Sequence, residues 1–291
     1  GLLWGSAGIT VPWECYQQYG DTILLSEHYD AMKRYIQYII DNTIETETNL
    51  IVQTRSWGDL CDWLGLEDEK NDKSLVWEAY FIYDLELMAK MATVLGKVTD
   101  AEWFRELHAA RKDFFNKTYI EPETGKTLFS AFVPEKKGSH IDIQTSYVLP
   151  LAFNIIDEEN RNKVIANLAE TVRRENTTDR GQQCPSYSLM TGFIGTSWIN
   201  KALSDYGHSD LAYRLLQQTS YPSWLYSIEQ GATTIWERLN SYTRTDGFGG
   251  NNRMNSFNHY SFGAVGAWMY NYSLGIQRDE TSPGFKQFVL K

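Results

Sequence analysis

Apolar and polar residues along the chain recur with the period of α-helices. Between residues 25 and 39 the apolar positions step by four, three, four and three residues, and polar residues occupy the opposite face. A second apolar series runs from Val76 to Val94 and ends at Gly96, a residue type that commonly terminates helices. Both series predict long amphipathic helices that pack one face against a core.

Weaker helical patterns cover much of the remaining chain. They lie at about 100–116, 142–153, 157–174, 193–206, 209–218 and 258–274. Strand signals predict a short hairpin at 118–133, with its turn at 123–126, and one extended piece, TNLIVQ. No linker divides the chain, and no fixed repeat period indicates a solenoid. Helices joined alternately by short turns and long loops predict one all-α domain, an α/α toroid whose loops form the site.

Composition and charge narrow the possible partners. The 291 residues carry 27 Lys and Arg against 37 Asp and Glu, and the formal net charge of −10 disfavours nucleic acid and anionic membranes. The apolar runs are too short to span a membrane. Cys15, Cys61 and Cys184 are too far apart for a CxxC metal site or a disulfide framework. We therefore expect no metal and no cofactor, and a neutral or cationic partner.

Aromatic residues are abundant, with 10 Trp, 18 Tyr and 13 Phe. Aromatic faces lie against the C–H faces of sugars while carboxylates accept from sugar hydroxyls, so this composition suggests carbohydrate binding, although most tryptophans are core residues. Loops held by a scaffold carry most catalytic groups. The predicted site segments are the opening stretch, the segment QTRSWGDLCDWLGLEDE with Trp57, Asp59, Asp62 and Trp63, and residues 229–259.

The segment EQGATTIWERLNSY, residues 229–242, holds the main candidate for chemistry. Glu237 stands between Trp236 and Arg238, and His259 follows in the same loop. A carboxylate beside aromatic surface, with a histidine nearby, suits a general base for hydrolysis. On spacing alone, a surface ion pair with Arg238 is the more common role for such a glutamate, and a structural role for His259 is equally open.

Longer segments resemble a known family. TGFIGTSWINKALSDYGHSDLAYRLLQQTSYPSWLYSIEQGATTIWERLNSY and MNSFNHYSFGAVGAWMYNYSLGI are similar to the catalytic domain of the α-L-rhamnosidases, family 78 of the glycoside hydrolases, and ITVPWECYQQYGD and QTSYVLPLAFNII agree. The resemblance implies an (α/α)6 toroid over residues 1–280, incomplete at its N-terminal side, and the beginning of a C-terminal β-sandwich at 281–291. It also implies hydrolysis of terminal α-L-rhamnosides with inversion, in a rhamnose-containing glycan or glycoside.

Single residues take roles from the same resemblance. Glu237 matches the glutamate of the family's TTIWERW motif, which activates water, and His259 matches a histidine that contacts sugar. Trp13 matches an aromatic sugar-binding position. The family's GDWL motif could align with Gly58–Leu60 or with Cys61–Leu64; the second alignment keeps DWL and is preferred, so Asp62 and Trp63 match an acidic and an aromatic position. With Trp236, the two other tryptophans are expected to wall one rhamnose pocket.

The chain also departs from the family. Ser6 stands where the family's GWGDA motif has an aspartate, and the motif that carries the family's general acid is absent. We expect that acid upstream of residue 1 and the 291-residue piece alone to be weakly active or inactive, unless Asp59, Asp62 or Glu229 substitutes.

Two other functions fit the same fold and composition. A polysaccharide lyase on an α/α toroid is one alternative, but it would need cationic groups near a Tyr or His to neutralise a uronate, which the acidic loops disfavour. A non-catalytic glycan-binding module that uses the same tryptophan loops is the other.

Overall fold

A computed structural model of the chain describes residues 1–53, 59–249 and 254–291. The helices of this part are α1 Ala7–Tyr19, α2 Ile23–Thr43, α3 Lys73–Val94, α4 Val98–Tyr119, α5 Gln144–Ala152, α6 Glu158–Arg173, α7 Phe193–Asp205, α8 Ser209–Gln217, α9 Trp224–Glu229 and α10 Val265–Trp268. Short antiparallel pairs join β1 Asn176–Thr177 to β2 Gln183–Cys184 and β3 Ile276–Arg278 to β4 Phe288–Leu290. Among these helices, none is both long and apolar enough to cross a membrane.

Consecutive helices form hairpins that are arranged in two layers. Helix α1 packs on α2, α3 on α4, α5 on α6 and α7 on α8. The odd-numbered members also contact one another in succession, α1 with α3, α3 with α5 and α5 with α7, and α10 then packs on α7. Helices α1, α3, α5 and α7 therefore form an inner layer, and their partners α2, α4, α6 and α8 cover it from outside. The predicted all-α toroid is confirmed.

The two layers explain which helices are amphipathic. Outer helix α2 buries the five apolar positions that the sequence pattern selects: Leu25, Tyr29, Met32, Ile36 and Ile39. Inner helix α3 is buried on nearly every side, because α1, α4 and α5 all pack against it. The prediction of a long helix ending before Gly96 is confirmed, but the prediction that it buries only one face is wrong.

A buried ion pair joins the two helices of the second hairpin. Arg111 of α4 donates from Nε to Glu78 Oε1 of α3 at 2.8 Å and from Nη2 to Oε2. The same guanidinium donates to the side chain and the carbonyl of Asn49 at 2.8 and 3.1 Å. Burial raises the pKa of Glu78, and Arg111 opposes that rise. The guanidinium thus ties α3 and α4 to the turn that follows α2.

Most of the weaker helical predictions are confirmed, but three segments of the chain differ from what the sequence predicts. The opening stretch is helix α1 although Pro12 lies inside it, because Ile9, Pro12, Trp13 and Gln17 form a buried face. Residues 258–274 are divided into a 3₁₀ turn, α10 and a π turn at Met269–Ser273. At 118–133, isolated bridges join Ile120 to Thr127 and Leu128 to His140, so a turn at 123–126 is present with little strand around it.

Candidate functional site

A cavity of about 1090 Å³ is bounded by α1, α3, the start of α7 and irregular segments that include residues 3–4, 60–63, 237 and 254–260. Trp63, Glu237 and His259 line it together, although they lie in different parts of the chain. Tyr83 and Trp198 belong to the same wall. The structure therefore brings three of the six predicted site residues to one cavity.

Glu237 and His259 are held close together because two irregular segments run side by side. The Glu237 N–H donates to the Ser256 carbonyl at 2.8 Å, and the His259 N–H donates to the Ile235 carbonyl at 2.8 Å. Thr234 Oγ1 also donates to the Phe257 carbonyl. These backbone bonds set the register of the two segments, and that register carries both side chains to the cavity wall.

Glu237 is a buried carboxylate, only 6 % exposed, on the wall of this cavity. The Ser256 N–H donates to Oε2 at 2.8 Å and so fixes the orientation of the carboxylate. Arg238 Nε instead donates to the Met254 carbonyl at 3.0 Å, and the described residues contain no ion pair between Glu237 and Arg238. The surface ion pair that spacing alone favours is therefore not formed.

His259 is oriented by an aromatic stack. Its ring lies on the Phe193 ring with centroids 4.7 Å apart and planes 28° from parallel. The Ser261 N–H lies 3.4 Å from Nδ1, so Nδ1 is the accepting nitrogen of the ring and Nε2 carries the hydrogen. Nε2 is then the ring atom able to donate to a bound hydroxyl or water.

Asp62 does not line this cavity, despite its predicted contact with sugar. It is 2 % exposed and lies beneath the first turn of α7. Its carboxylate accepts from the N–H groups of Gly192, Ile194 and Gly195 at 2.8, 2.9 and 3.0 Å and from the Thr145 hydroxyl. Burial and the nearby Asp68 raise the pKa of Asp62 to about 6, while these hydrogen bonds lower it.

Trp13 and Trp236 are also separated from the cavity. Because α1 is a helix, Thr10 and Glu14 share the face toward the cavity, whereas Trp13 points away. Trp13 lines a second cavity of about 430 Å³, with Lys90 Nζ 5.9 Å from its ring centroid. Trp236 is buried, is not part of the cavity lining and meets the Phe257 ring edge-on with centroids 5.3 Å apart. The expected pocket of three tryptophans is therefore not formed: of the three, Trp63 lines the cavity.

Other carboxylates considered from the sequence lie elsewhere. Asp59, Asp62 and Glu229 are not part of the cavity lining, and Trp57 lies outside the described residues. Glu14 of α1 does line the cavity, and Arg278 Nη2 lies 2.7 Å from its Oε2. Sequence reasoning missed Glu14 because the opening stretch is not predicted to be helical; a helix there would have placed Thr10 and Glu14 on one face. In the described part of the chain, no group of three His, Cys, Asp or Glu residues is arranged to hold a metal ion.

Comparisons with known proteins agree with the fold. The family model described as bacterial alpha-L-rhamnosidase 6 hairpin glycosidase domain matches residues 1–273. An α-L-rhamnosidase of Streptomyces avermitilis is 35 % identical over 288 residues, which are 99 % of this chain and 24 % of that protein. An α-L-rhamnosidase of Formosa agariphila is 35 % identical over 279 residues, 94 % of this chain and 27 % of that protein.

Comparison with solved structures also identifies α-L-rhamnosidases as similar proteins. The crystal structure of the Streptomyces avermitilis α-L-rhamnosidase complexed with L-rhamnose has a TM-score of 0.81 and 34 % identity, covering 99 % of this chain and 24 % of that one. The native rhamnosidase of Aspergillus terreus has a TM-score of 0.76 and 30 % identity, covering 94 % of this chain and 29 % of that one. The chain thus spans about a quarter of the length of these relatives.

Proposed function

The chain belongs to the bacterial α-L-rhamnosidase six-hairpin glycosidase family, and we propose that it supplies the sugar-binding cavity and the general base of an enzyme that hydrolyses terminal α-L-rhamnosides. The relatives that it matches are named α-L-rhamnosidases, which favours hydrolysis over the lyase and binding-module alternatives. The observation that carries the proposal is the placement of Glu237, buried on the wall of a large cavity beside His259 and Trp63.

Glu237 has the properties of a base that activates water. The Ser256 N–H holds Oε2 and leaves the carboxylate group fixed at the cavity surface. In an inverting hydrolysis the base takes a proton from water as the oxygen attacks the anomeric carbon, while a second carboxyl group protonates the departing oxygen. We assign the first role to Glu237; the proton donor is expected from the family motif that this sequence does not contain.

Trp63 and His259 are the proposed sugar contacts. L-Rhamnose is neutral and has an apolar C6 methyl group beside its hydroxyls, so it suits a wall that mixes aromatic rings with single polar groups. The Trp63 ring offers an apolar surface, and His259 Nε2 offers a hydrogen bond to a hydroxyl. The stack of His259 on Phe193 would keep that donor in place as the sugar binds.

The test compares Glu237→Gln with wild type in the natural gene product that contains this chain. Glutamine keeps the shape and can still accept from Ser256, but it cannot take a proton, so kcat for release of 4-nitrophenol from the aryl α-L-rhamnoside should fall about 10²- to 10⁴-fold. KM should change little. ¹H NMR of the first product should show the β anomer of L-rhamnose, as inversion requires.

Glu229→Gln is the matched control, since Glu229 is an exposed glutamate eight residues earlier, at the end of α9, and is not part of the cavity lining. It should keep kcat within about twofold of wild type, as expected for a residue away from the chemistry. A Glu237→Gln enzyme as active as this control would remove Glu237 from the mechanism. If the wild type binds L-rhamnose but does not hydrolyse the aryl rhamnoside, the binding module is supported instead.

A further inference from the structure

We propose that Asp62 is a positioning residue: its buried carboxylate joins the start of α7 to the Trp63 segment, and through Phe193 it sets His259 against the cavity. This role replaces the predicted contact of Asp62 with sugar. The inference rests on the proposed function where it is tested by hydrolysis of a rhamnoside. Its test by the NMR signal of His259 needs no substrate.

The Asp62 carboxylate caps the N-terminus of α7, although Asp62 lies far from α7 along the chain. Helix α7 begins after Gly192, which has no side chain to accept from the first amides of the helix. Asp62 lies 130 residues before Gly192 and accepts from Gly192 N–H through Oδ2 and from Ile194 and Gly195 N–H through Oδ1. A carboxylate at the positive end of the helix dipole makes charge-assisted bonds, which are stronger than neutral ones.

The hydrogen-bonding capacity of Asp62 is fully used by the protein. Three backbone amides and the Thr145 hydroxyl all donate to its two oxygens, which offer about four acceptor positions in all. A sugar hydroxyl would have to displace one of these donors and leave it buried without a partner, at a considerable energetic cost. Direct sugar binding by Asp62 is therefore disfavoured by chemistry as well as by location.

The same carboxylate controls two adjoining parts of the cavity wall. Trp63 follows Asp62 directly, and its carbonyl accepts from the Phe193 N–H at 2.9 Å. The Phe193 ring carries the His259 ring at 4.7 Å between centroids. All three aromatic side chains line the cavity that contains Glu237. A change at Asp62 is thus transmitted to both proposed sugar contacts.

The packing around this junction leaves little freedom. A Cβ atom at Gly192 would clash with the carbonyl oxygens of Asp62 and Trp63, so only glycine lets the two backbones lie this close. A Cβ atom at Gly195 would lie 2.7 Å from the Thr145 hydroxyl oxygen. Since the junction is close-packed, loss of the carboxylate should move the wall rather than be absorbed locally.

The experiment compares Asp62→Asn with Asp72→Asn in the natural gene product that contains this chain. Asp72 is an equally buried cap, whose carboxylate accepts from Ser74 and Ser130 N–H at 2.9 and 2.7 Å at the start of α3, and it does not line the cavity. Both substitutions replace an acceptor oxygen by an NH₂ group that faces N–H donors. Both should reduce stability, but only Asp62→Asn should disturb the cavity wall.

The structural readout is the ring ¹H–¹³C NMR signal of His259, which the Phe193 stack shifts from the ordinary histidine position. The chain has five histidines, so a His259→Gln spectrum assigns the signal. Asp62→Asn should move it toward the unstacked position, and Asp72→Asn should leave it unchanged. In Asp62→Asn, kcat/KM for the aryl rhamnoside should fall by up to about 100-fold, since small displacements of positioning groups are costly. In Asp72→Asn it should fall by less than about twofold.

Thr145→Val provides a milder variant should Asp62→Asn fail to fold, because it removes one of the four donors and should give a smaller shift in the same direction. An unmoved His259 signal in every folded variant at Asp62 or Thr145, or an equal movement in Asp72→Asn, would overturn the positioning role. If the signal moves as expected but the wild type does not hydrolyse rhamnosides, the positioning role stands and the proposed function fails.

Discussion

Replacing Arg111 by methionine should lower the free energy of unfolding by about 3–5 kcal/mol, the usual cost of removing one partner of a buried ion pair. Arg111 is 4 % exposed, and Glu78 on the neighbouring helix is fully buried. The guanidinium makes a two-point contact with the Glu78 carboxylate. Methionine fills much of the same space but leaves that carboxylate in the interior without a counter-charge.

Most of this cost is expected to come from Glu78. The two bonds that Arg111 makes to Asn49 can be replaced by water, because Asn49 is exposed. The contact of the guanidinium with the Phe114 ring, 4.6 Å from its centroid, contributes about 0.5–1 kcal/mol, and a methionine side chain retains part of it. A loss of 3–5 kcal/mol is a large share of the ~5–15 kcal/mol by which domains are stable.

The loss should depend on pH. Burial already raises the pKa of Glu78 above its ordinary value, and removal of the opposing Arg111 raises it further. A group whose pKa is higher in the folded state than in the unfolded state contributes stability that is complete below the unfolded value and is lost as pH rises. The deficit of Arg111→Met should therefore be larger at pH 8 than at pH 5, where Glu78 can take a proton.

Urea unfolding followed by far-UV circular dichroism at pH 5 and pH 8 measures both effects. Lys117→Met is the control on the same helix, because the Lys117–Asp113 pair is 73 % and 61 % exposed and such pairs contribute less than about 1 kcal/mol. A second change, Glu78→Gln in the Arg111→Met background, should recover part of the loss and remove its pH dependence. A deficit for Arg111→Met no larger than that of Lys117→Met at both pH values would refute the reasoning.

Two further predictions concern burial and close packing. Burial raises the pKa of Asp84 to about 8, although the hydrogen bond from Ser6 Oγ lowers it. The contribution of Asp84 to stability therefore falls as pH rises from the ordinary aspartate range toward 8. Asp84→Asn should unfold at a higher temperature than wild type at pH 9, and the difference should close toward pH 4. A wild type as stable as the variant at pH 9 by scanning calorimetry would contradict this. Gly192→Ala should cost about 1–3 kcal/mol through overpacking against Asp62 and Trp63, whereas Gly266→Ala, where a Cβ atom meets nothing within 4 Å, should be neutral or stabilising; equal melting temperatures of the two variants would show that the Gly192 contact is not tight.

Local patterns were sufficient for the helices that have one exposed face. The spacing of the apolar residues predicts α2, because a helix with one exposed face carries apolar residues at helical spacing on its buried face. These residues are Leu25, Tyr29, Met32, Ile36 and Ile39. The same pattern cannot reveal how many neighbours a helix has. Inner helix α3 is buried on nearly every side because other helices pack around it, and that burial results from tertiary packing.

The chemistry of the site was only partly readable from residue types. Glu237 and His259 could be selected as candidates from their neighbours and from the family resemblance, and the structure places both on one cavity wall. Trp236 is adjacent to Glu237 in sequence but does not line the cavity; its ring packs against Phe257, because neighbouring residues of an irregular backbone need not share a face. The backbone bonds Glu237–Ser256 and His259–Ile235 bring Glu237 and His259 to that wall.

Sequence by itself determined the helical class, the identity of the loop that holds Glu237 and the family to which the chain belongs, because these depend on residue types and spacing within short segments. Tertiary structure alone decided which of the candidate residues meet. Trp13 turns away because its stretch is helical, and the Asp62 carboxylate accepts from the amides at the start of α7, the first of which, Gly192, lies 130 residues later. Contacts between residues so far apart depend on how the helices pack, and no local pattern records that packing.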